Sequence, residues 1–127
     1  MTSPADLFLT SSGRIGRIAF IAGAGVLLAL WAGFDLRAPL AVRDMTGWLV
    51  AALLLYCAAC LLSQRLHDRG RSGWWSGPIL LAFAMAWPRP AAPLDWIALA
   101  LLALVAVDLA LLPGQKAFNR YGAPAKA

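Results

Sequence analysis

The sequence predicts an all-α, polytopic membrane protein with four transmembrane helices, the third of them short, and with both termini in the cytoplasm. Of its 127 residues, 61% are hydrophobic and 13% are charged, whereas a soluble globular domain carries about 25% charged residues. Four apolar segments follow one another along the chain, and most of the basic residues lie between them. This length fits a single integral membrane domain, residues 1–127.

The four apolar segments are residues 18–34, 46–62, 74–87 and 94–112. A helix needs roughly 17–25 apolar residues to cross a bilayer, so the first, second and fourth segments qualify. The third has only 14 residues, about 21 Å of helix at ~1.5 Å per residue, and Pro88 ends it. It is therefore either a short spanning helix or a re-entrant one. Residues 35–47, between the first two segments, are expected to form a charge-balanced external loop.

The distribution of basic residues decides between these two topologies. With four spans and a cytoplasmic N-terminus, only Arg37, Arg43 and Arg89 lie outside. The cytoplasmic side then holds Arg14, Arg17, Arg65, Arg69, Arg71, Lys116, Arg120 and Lys126. If the third segment does not cross, the basic residues divide almost equally. Because cytoplasmic loops carry the excess of Lys and Arg, four spans with both termini in the cytoplasm are favoured.

Small residues in the first segment predict a close helix contact. Gly25, Ala29 and Gly33 recur every four residues and so share one helix face, where backbones can approach closely. We expect this face to pack against a neighbouring span of the same chain, and a contact with a second copy is the alternative. The six tryptophans lie at or near segment ends, as expected for residues at the membrane interface.

Asp108 lies in the apolar run 101–112, about one helical turn before its cytoplasmic end. A carboxylate at this depth is costly unless it is paired or faces water. Arg65, just beyond the second segment, is the predicted partner, with His67 and Arg69 as alternatives. A structural ion pair is favoured over a proton pathway.

A polar stretch, residues 64–75, separates the second and third segments and has the sequence QRLHDRGRSGWW. Gly70 can adopt the left-handed conformation that ends a helix, and Ser72 can cap the next helix. Arg65 and Asp68 are three residues apart on one helix face and can form an ion pair. Local structure therefore accounts for much of this stretch.

Three stretches resemble motifs of a small bacterial inner-membrane family, known as domain of unknown function 805, that includes the YhaH-type proteins. They are the opening box (13–20, GRIGRIAF), the hinge box (64–75) and the closing box (113–122), which contains Pro113-Gly114 and Asn119-Arg120-Tyr121-Gly122. The resemblance covers about residues 7–124. It implies membership and a place in the inner membrane, but no reaction. Gln64 departs from the pattern, since a second arginine is usual there.

In the four-span topology, all three boxes lie at the cytoplasmic face. The residues that we expect to gather there are Arg14, Arg17, Arg65, His67, Asp68, Arg71, Trp74, Trp75, Asn119, Arg120 and Tyr121. Such a basic cluster can bind anionic membrane lipid. A membrane protein partner, or a second copy of the chain, is the further partner that we consider. Nucleic acid is not expected, because no folded polar face carries a basic stripe.

The sequence favours a non-catalytic scaffold or binding protein over two alternatives. One is a small oligomeric transporter, or an ion or proton pathway, that uses Asp108. The other is a membrane enzyme that acts on a lipid headgroup through His67 and Asp68. These two neighbours point about 100° apart on a helix, and the single histidine and the missing nucleotide or hydrolase motifs predict no catalytic, metal or cofactor site. Cys57 and Cys60 are expected to pack as small apolar residues.

Overall fold

The computed structural model describes residues 4–87 and 89–125, and these residues form helices joined by short connections. The helices are α1 (Pro4–Leu9), α2 (Arg17–Arg37), α3 (Leu40–Asp68), α4 (Ser76–Ala86) and α5 (Pro93–Ala106). A 3₁₀ turn, Gly73–Trp75, precedes α4, and a π-helical turn, Val107–Leu111, extends α5. The described residues contain no β-strand beyond one isolated bridge between Asn119 and Gly122. The predicted all-α fold class is confirmed.

Within the described residues, three helices are long and apolar enough to cross a membrane. They are α2, α3 and the combined α5 and π turn, Pro93–Leu111. The apolar helix Gly73–Ala86 is shorter. The predicted long segments are thus confirmed as helices, although α2 and α3 extend beyond their predicted ends.

The expected loop conformation of residues 35–47 is wrong, because most of these residues are helical. Only Ala38 and Pro39 interrupt the helices there, with φ and ψ of −67° and 144°, and −56° and 147°. Proline forces the preceding residue out of the helical conformation, and its missing N–H costs nothing where a new helix begins. The residues on either side, 35–37 and 40–47, remain helical.

The helices pack in chain order. Helix α2 packs on α3, α3 on α4, α4 on α5, and the π turn returns to α2. The short α1, which the sequence analysis missed, packs on α3. The buried core lies at one end of this bundle, which we call the basic end, and consists of Ile15, Phe20, Leu61, Leu62, Leu66 and Leu109.

The third apolar segment connects the basic end to the opposite end, which we call the far end. It starts beside α3, where Ser63 Oγ lies 3.5 Å from the carbonyl oxygen of Gly73. It finishes at Trp87, whose indole N–H donates to the carboxylate of Asp35 over 2.9 Å. Asp35 lies near the end of α2, so this hydrogen bond links the end of the short segment to the end of its long neighbour.

The predicted contact through Gly25, Ala29 and Gly33 is wrong for this chain. Gly25 and Gly33 face outward, and apart from chain neighbours and the backbone of α2 itself, no described atom lies within 4 Å of a Cβ built on either. The close approach is at Gly23 instead, which is buried and where a Cβ would lie 2.8 Å from Leu61 Cδ1. Helix α2 therefore packs on its neighbours through the face that carries Phe20 and Gly23.

Candidate functional site

Asp68, the last residue of α3, lies at the centre of the basic end. Its Oδ1 accepts from Arg14 Nε over 2.9 Å, and its Oδ2 accepts from Arg65 NH1 over 2.5 Å. The side chains of Arg14 and Arg65 are 1% and 0% exposed. The predicted Arg65–Asp68 ion pair is confirmed, and one buried carboxylate is shared by two buried guanidinium groups.

Arg14 also joins the opening box to the closing box. Its two terminal nitrogens donate to the carbonyl oxygens of Gln115, Ala117 and Gly122. The backbone N–H of Gln115 in turn donates to the carbonyl oxygen of Asp68 over 2.8 Å. The opening, hinge and closing boxes are therefore bonded to one another around a single residue.

Arginine side chains cap the carboxyl end of α5 and its π turn. Arg65 donates to the carbonyl oxygens of Leu109 (2.5 Å) and Leu112 (2.7 Å), and Arg17 donates to that of Leu111 (2.9 Å). The last carbonyls of a helix lack partners within the helix, and its dipole is negative at this end. Arginines from the ends of α2 and α3 supply both the missing hydrogen-bond donors and a positive charge beside the negative end of the dipole.

The predicted pairing of Asp108 with Arg65 is wrong. Asp108 bonds to Arg69 over 2.7 Å and to Arg71 over 3.0 Å. Arg65 is already engaged by Asp68 and by carbonyl oxygens, and Arg69 follows it one turn later on the same face of α3. Arg69 was one of the two alternatives considered from the sequence, whereas the contribution of Arg71 was not expected.

His67 lies where the three boxes meet, and it contacts residues of the other two boxes. Its Nδ1 is 2.9 Å from the carbonyl oxygen of Gly13, and its ring stacks on Tyr121 with 3.9 Å between centroids. The side-chain amide of Asn119 donates to the backbone carbonyl of His67 over 3.0 Å. His67 therefore joins the opening and closing boxes, while the side chain of its neighbour Asp68 bonds to arginines.

The turn of the hinge box forms as the sequence predicts. Gly70 has a φ of +76° and ends α3 in the left-handed conformation. The backbone N–H of Arg71 donates to the carbonyl of Leu66 over 2.8 Å, as in a helix that ends at glycine. Ser72 Oγ accepts from the N–H of Trp74 over 3.3 Å, which confirms the predicted cap.

The chain passes Asp68 so closely at Gly114 that no side chain fits there. A Cβ built on Gly114 would lie 1.9 Å from Asp68 Oδ2 and 2.9 Å from the Asp68 carbonyl oxygen. Only glycine fits at this position, because any Cβ would clash with Asp68. The sequence marks Gly114 as part of the closing box but does not reveal what it touches.

The other predicted site residues lie at the edge of this centre. Arg120 stacks over the Tyr121 ring at 4.8 Å from its centroid and bonds to the Tyr121 hydroxyl. Arg71 is half exposed. Trp74 and Trp75 project outward, with 90% and 58% of their surface exposed, so these two do not join the cluster.

A polar pocket of about 270 Å³ opens beside the centre, between the start of α2 and the closing box. Among the described residues, its charged lining consists of Arg17, Arg65, Lys116 and Asp68. Since Asp68 is already bonded to Arg14 and Arg65, the pocket carries surplus positive charge. Arg17 and Lys116 are exposed. Lys126, predicted at the same face, lies outside the described residues.

Comparison with known proteins identifies the family. The model of the family described as Protein of unknown function (DUF805) matches residues 8–123. This chain belongs to the DUF805 family. It is 30% identical over 123 residues to Uncharacterized protein YiiR of Escherichia coli K12, an alignment that covers 87% of this chain and 82% of the relative, and the O157:H7 protein of that name matches equally. No solved structure matches.

Gln64, which departs from the family pattern described above, has a clear structural role. Its side-chain N–H groups donate to the carbonyl oxygens of Asp6 and Leu7, both over 3.0 Å, and of Thr10 over 2.6 Å. These carbonyls belong to the end of α1 and the residue just after it. Sequence analysis missed this capping residue, and its only signal was an uncharged polar side chain in a position where the resemblance implies arginine.

The ion pair at Asp108 yields a quantitative prediction. Asp108→Asn and Arg69→Gln should each lower the melting temperature in mild detergent, and the double variant should lose less than the sum. A contacting pair of this kind has a coupling free energy of roughly 0.5–3 kcal/mol.

Arg120→Gln serves as the control partner for Asp108→Asn. Arg120 contacts Tyr121, so its loss should add to that of Asp108→Asn within about 0.5 kcal/mol. If the stability losses of Asp108→Asn and Arg69→Gln were also additive, the two residues would not interact directly.

Proposed function

We propose that this protein is a non-catalytic, four-span inner-membrane protein whose basic end faces the cytoplasm and binds the headgroup of an anionic lipid. The polar pocket between Arg17 and Lys116 is the observation that carries the proposal. The distribution of basic residues supports both the topology and the ligand, and a separate experiment tests each of them.

Two features support four spans. The three boxes converge at one end of the bundle, and the third apolar segment extends from that end to Asp35 at the far end. Seven of the described basic residues belong to the basic end, whereas Arg37, Arg43 and Arg89 lie toward the far end. The positive-inside rule then orients the basic end toward the cytoplasm.

The pocket supports an anionic lipid as the ligand. Most guanidinium groups at the basic end are engaged by Asp68, Asp108 or carbonyl oxygens. Arg17 uses one terminal nitrogen on the carbonyl of Leu111 and is otherwise exposed, as is Lys116 across the pocket. Arginine can hold a phosphate through two nitrogens, and lysine adds a mobile charge. In the proposed topology the pocket lies at headgroup depth, where α2 begins.

The contacts of the candidate catalytic and transport residues favour a binding role. Both Asp68 oxygens accept from guanidinium groups, and His67 is held by Gly13 and Tyr121. Asp108 is bonded to Arg69 and Arg71, as a structural ion pair requires. Within the described residues, no group of three or more His, Cys, Asp or Glu side chains has a metal-binding arrangement.

The topology predicts that both ends of the chain are cytoplasmic. Reporter fusions after Leu112 and after residue 127 should give cytoplasmic activity, and a fusion at Pro39 should give periplasmic activity. Periplasmic activity of the first two fusions would contradict four spans and make the third segment re-entrant.

The lipid site predicts a specific loss of bound lipid. We expect native mass spectrometry to show phosphatidylglycerol retained on the wild-type protein, and Arg17→Gln combined with Lys116→Gln should remove it. Each basic residue near an anionic surface contributes about 1 kcal/mol to general attraction, so loss of charge alone has a small effect everywhere. The double variant should lose more bound phosphatidylglycerol than this general attraction predicts.

Arg120→Gln is the matched control, because Arg120 is an exposed cation of the same end that does not line the pocket. It should retain phosphatidylglycerol nearly as the wild type does. If the double variant retained as much phosphatidylglycerol as the control, the proposed site would be wrong. The positive charge of the basic end would then serve only to orient the protein in the membrane.

A further inference from the structure

Helix α1 lies beside the apolar part of α3. The Tyr56 hydroxyl donates to the backbone carbonyl of Leu9, the last residue of α1, over 3.0 Å. Tyr56 belongs to the apolar segment 46–62 and lies about 18 Å along α3 from its end at Asp68, at ~1.5 Å per residue. The end of α1 therefore lies against the interior of α3 and not beyond its end.

A second contact places α1 at a similar level of α2. Leu7 packs against the buried core, and its Cδ2 lies 3.3 Å from a Cβ built on Gly23. Gly23 belongs to the apolar segment 18–34 and lies about 9 Å along α2 from Arg17, the first residue of that helix. Helix α1 thus packs on two helices that are long and apolar enough to cross a membrane, and it does so within their apolar segments.

The carbonyl oxygens at the end of α1 accept hydrogen bonds from side chains of α3. Tyr56 donates to the carbonyl of Leu9, and Gln64 donates to three neighbouring carbonyls, as described above. Water can satisfy such carbonyls at an exposed helix end, whereas in hydrocarbon a carbonyl without a donor is strongly unfavourable. Two side-chain donors at the end of one short helix are therefore what a position away from water requires.

The outer side of α1 includes apolar side chains. The helix has the sequence PADLFL, in which Asp6, in the first turn, is the one charged residue. Leu9 is 58% exposed, and Phe8 is half-buried. A helix with one polar and one apolar side is typical of the membrane interface, where its apolar side enters the acyl chains. Where α2 and α3 cross a membrane, the exposed side of Leu9 faces lipid.

We propose that α1 is inserted in the leaflet at the basic end, with Leu9 against lipid acyl chains and with its last carbonyls bonded to Tyr56 and Gln64. This inference rests on the part of the proposed function that puts α2 and α3 across the membrane. It does not depend on the pocket at Arg17 and Lys116, or on the side of the membrane that the basic end faces. The chain then contacts the hydrocarbon of this leaflet before its first span begins.

Fluorescence quenching in vesicles measures the depth of α1. A nitrobenzoxadiazole label is attached to Leu9→Cys in a chain that carries Cys57→Ala and Cys60→Ala, in vesicles of phosphatidylcholine and phosphatidylglycerol. A nitroxide on a lipid acyl chain should quench this label several-fold more strongly than iodide in the water does. Leu53→Cys, at an exposed position of α3, gives the reference for a label on a span.

Ser12→Cys is the matched control, because Ser12 is exposed and lies just after α1. Iodide should quench its label more strongly than the nitroxide does. If the nitroxide quenches the label at Leu53 but not the label at Leu9, α1 lies outside the leaflet and the inference is overturned. A label at Leu53 that the nitroxide does not quench would contradict the spans, and with them the proposed function. A label at Leu9 that neither quencher reaches would show that protein covers α1, which would also overturn the inference.

Removal of the two donors tests what keeps α1 in the leaflet. Tyr56→Phe combined with Gln64→Leu leaves the last carbonyls of α1 without these partners, so α1 should move toward water. The label at Leu9 should then become several-fold more accessible to iodide. Tyr121→Phe is the control, because it removes a hydroxyl that bonds to Arg120 and not to α1. Equal iodide quenching in the double variant and in this control would contradict the proposed roles of Tyr56 and Gln64.

Discussion

The bonding of one buried carboxylate to two buried guanidinium groups is the interaction on which the rest of the structure depends. Asp68 holds Arg14 from the opening box and Arg65 from the hinge box, and Gly114 of the closing box lies against it. Removing one partner of a buried ion pair costs about 3–5 kcal/mol, because the other charge stays buried and uncompensated. The three boxes, far apart in sequence, are therefore mutually dependent.

Arginine mainly performs a capping role in this chain. The carbonyl oxygens of Leu109, Leu111 and Leu112 accept from Arg65 and Arg17, and that of Pro113 accepts from Arg69. A helix that ends at a buried junction must satisfy these oxygens within the protein. Much of the basic motif therefore maintains the junction, and the proposed lipid site uses the donors that remain, at Arg17 and Lys116.

Sequence analysis predicted features set by local spacing and missed those set by contacts between helices. The Arg65–Asp68 pair and the Gly70 turn follow from residues a few positions apart, and both are confirmed. The partner of Asp108 depends on which face of α3 meets the π turn, which spacing along one helix cannot determine. For the same reason the small-residue face of α2 was predicted to pack inward, although the packing face is at Gly23. Likewise, Gln64 caps a helix that lies more than fifty residues away in the chain.

A single added methyl group tests the central role of Asp68 most directly. Gly114→Ala would place its Cβ 1.9 Å from Asp68 Oδ2, whereas the Cβ of Gly77→Ala would meet no described atom within 4 Å beyond its chain neighbours and the backbone of its own helix. Hydrogen exchange in mild detergent should show the backbone of residues 113–122 losing protection in Gly114→Ala, with a lower melting temperature, because overpacking costs roughly 1–3 kcal/mol. Gly77→Ala should behave as the wild type. Protection and stability in Gly114→Ala equal to those of Gly77→Ala would contradict a junction built around Asp68.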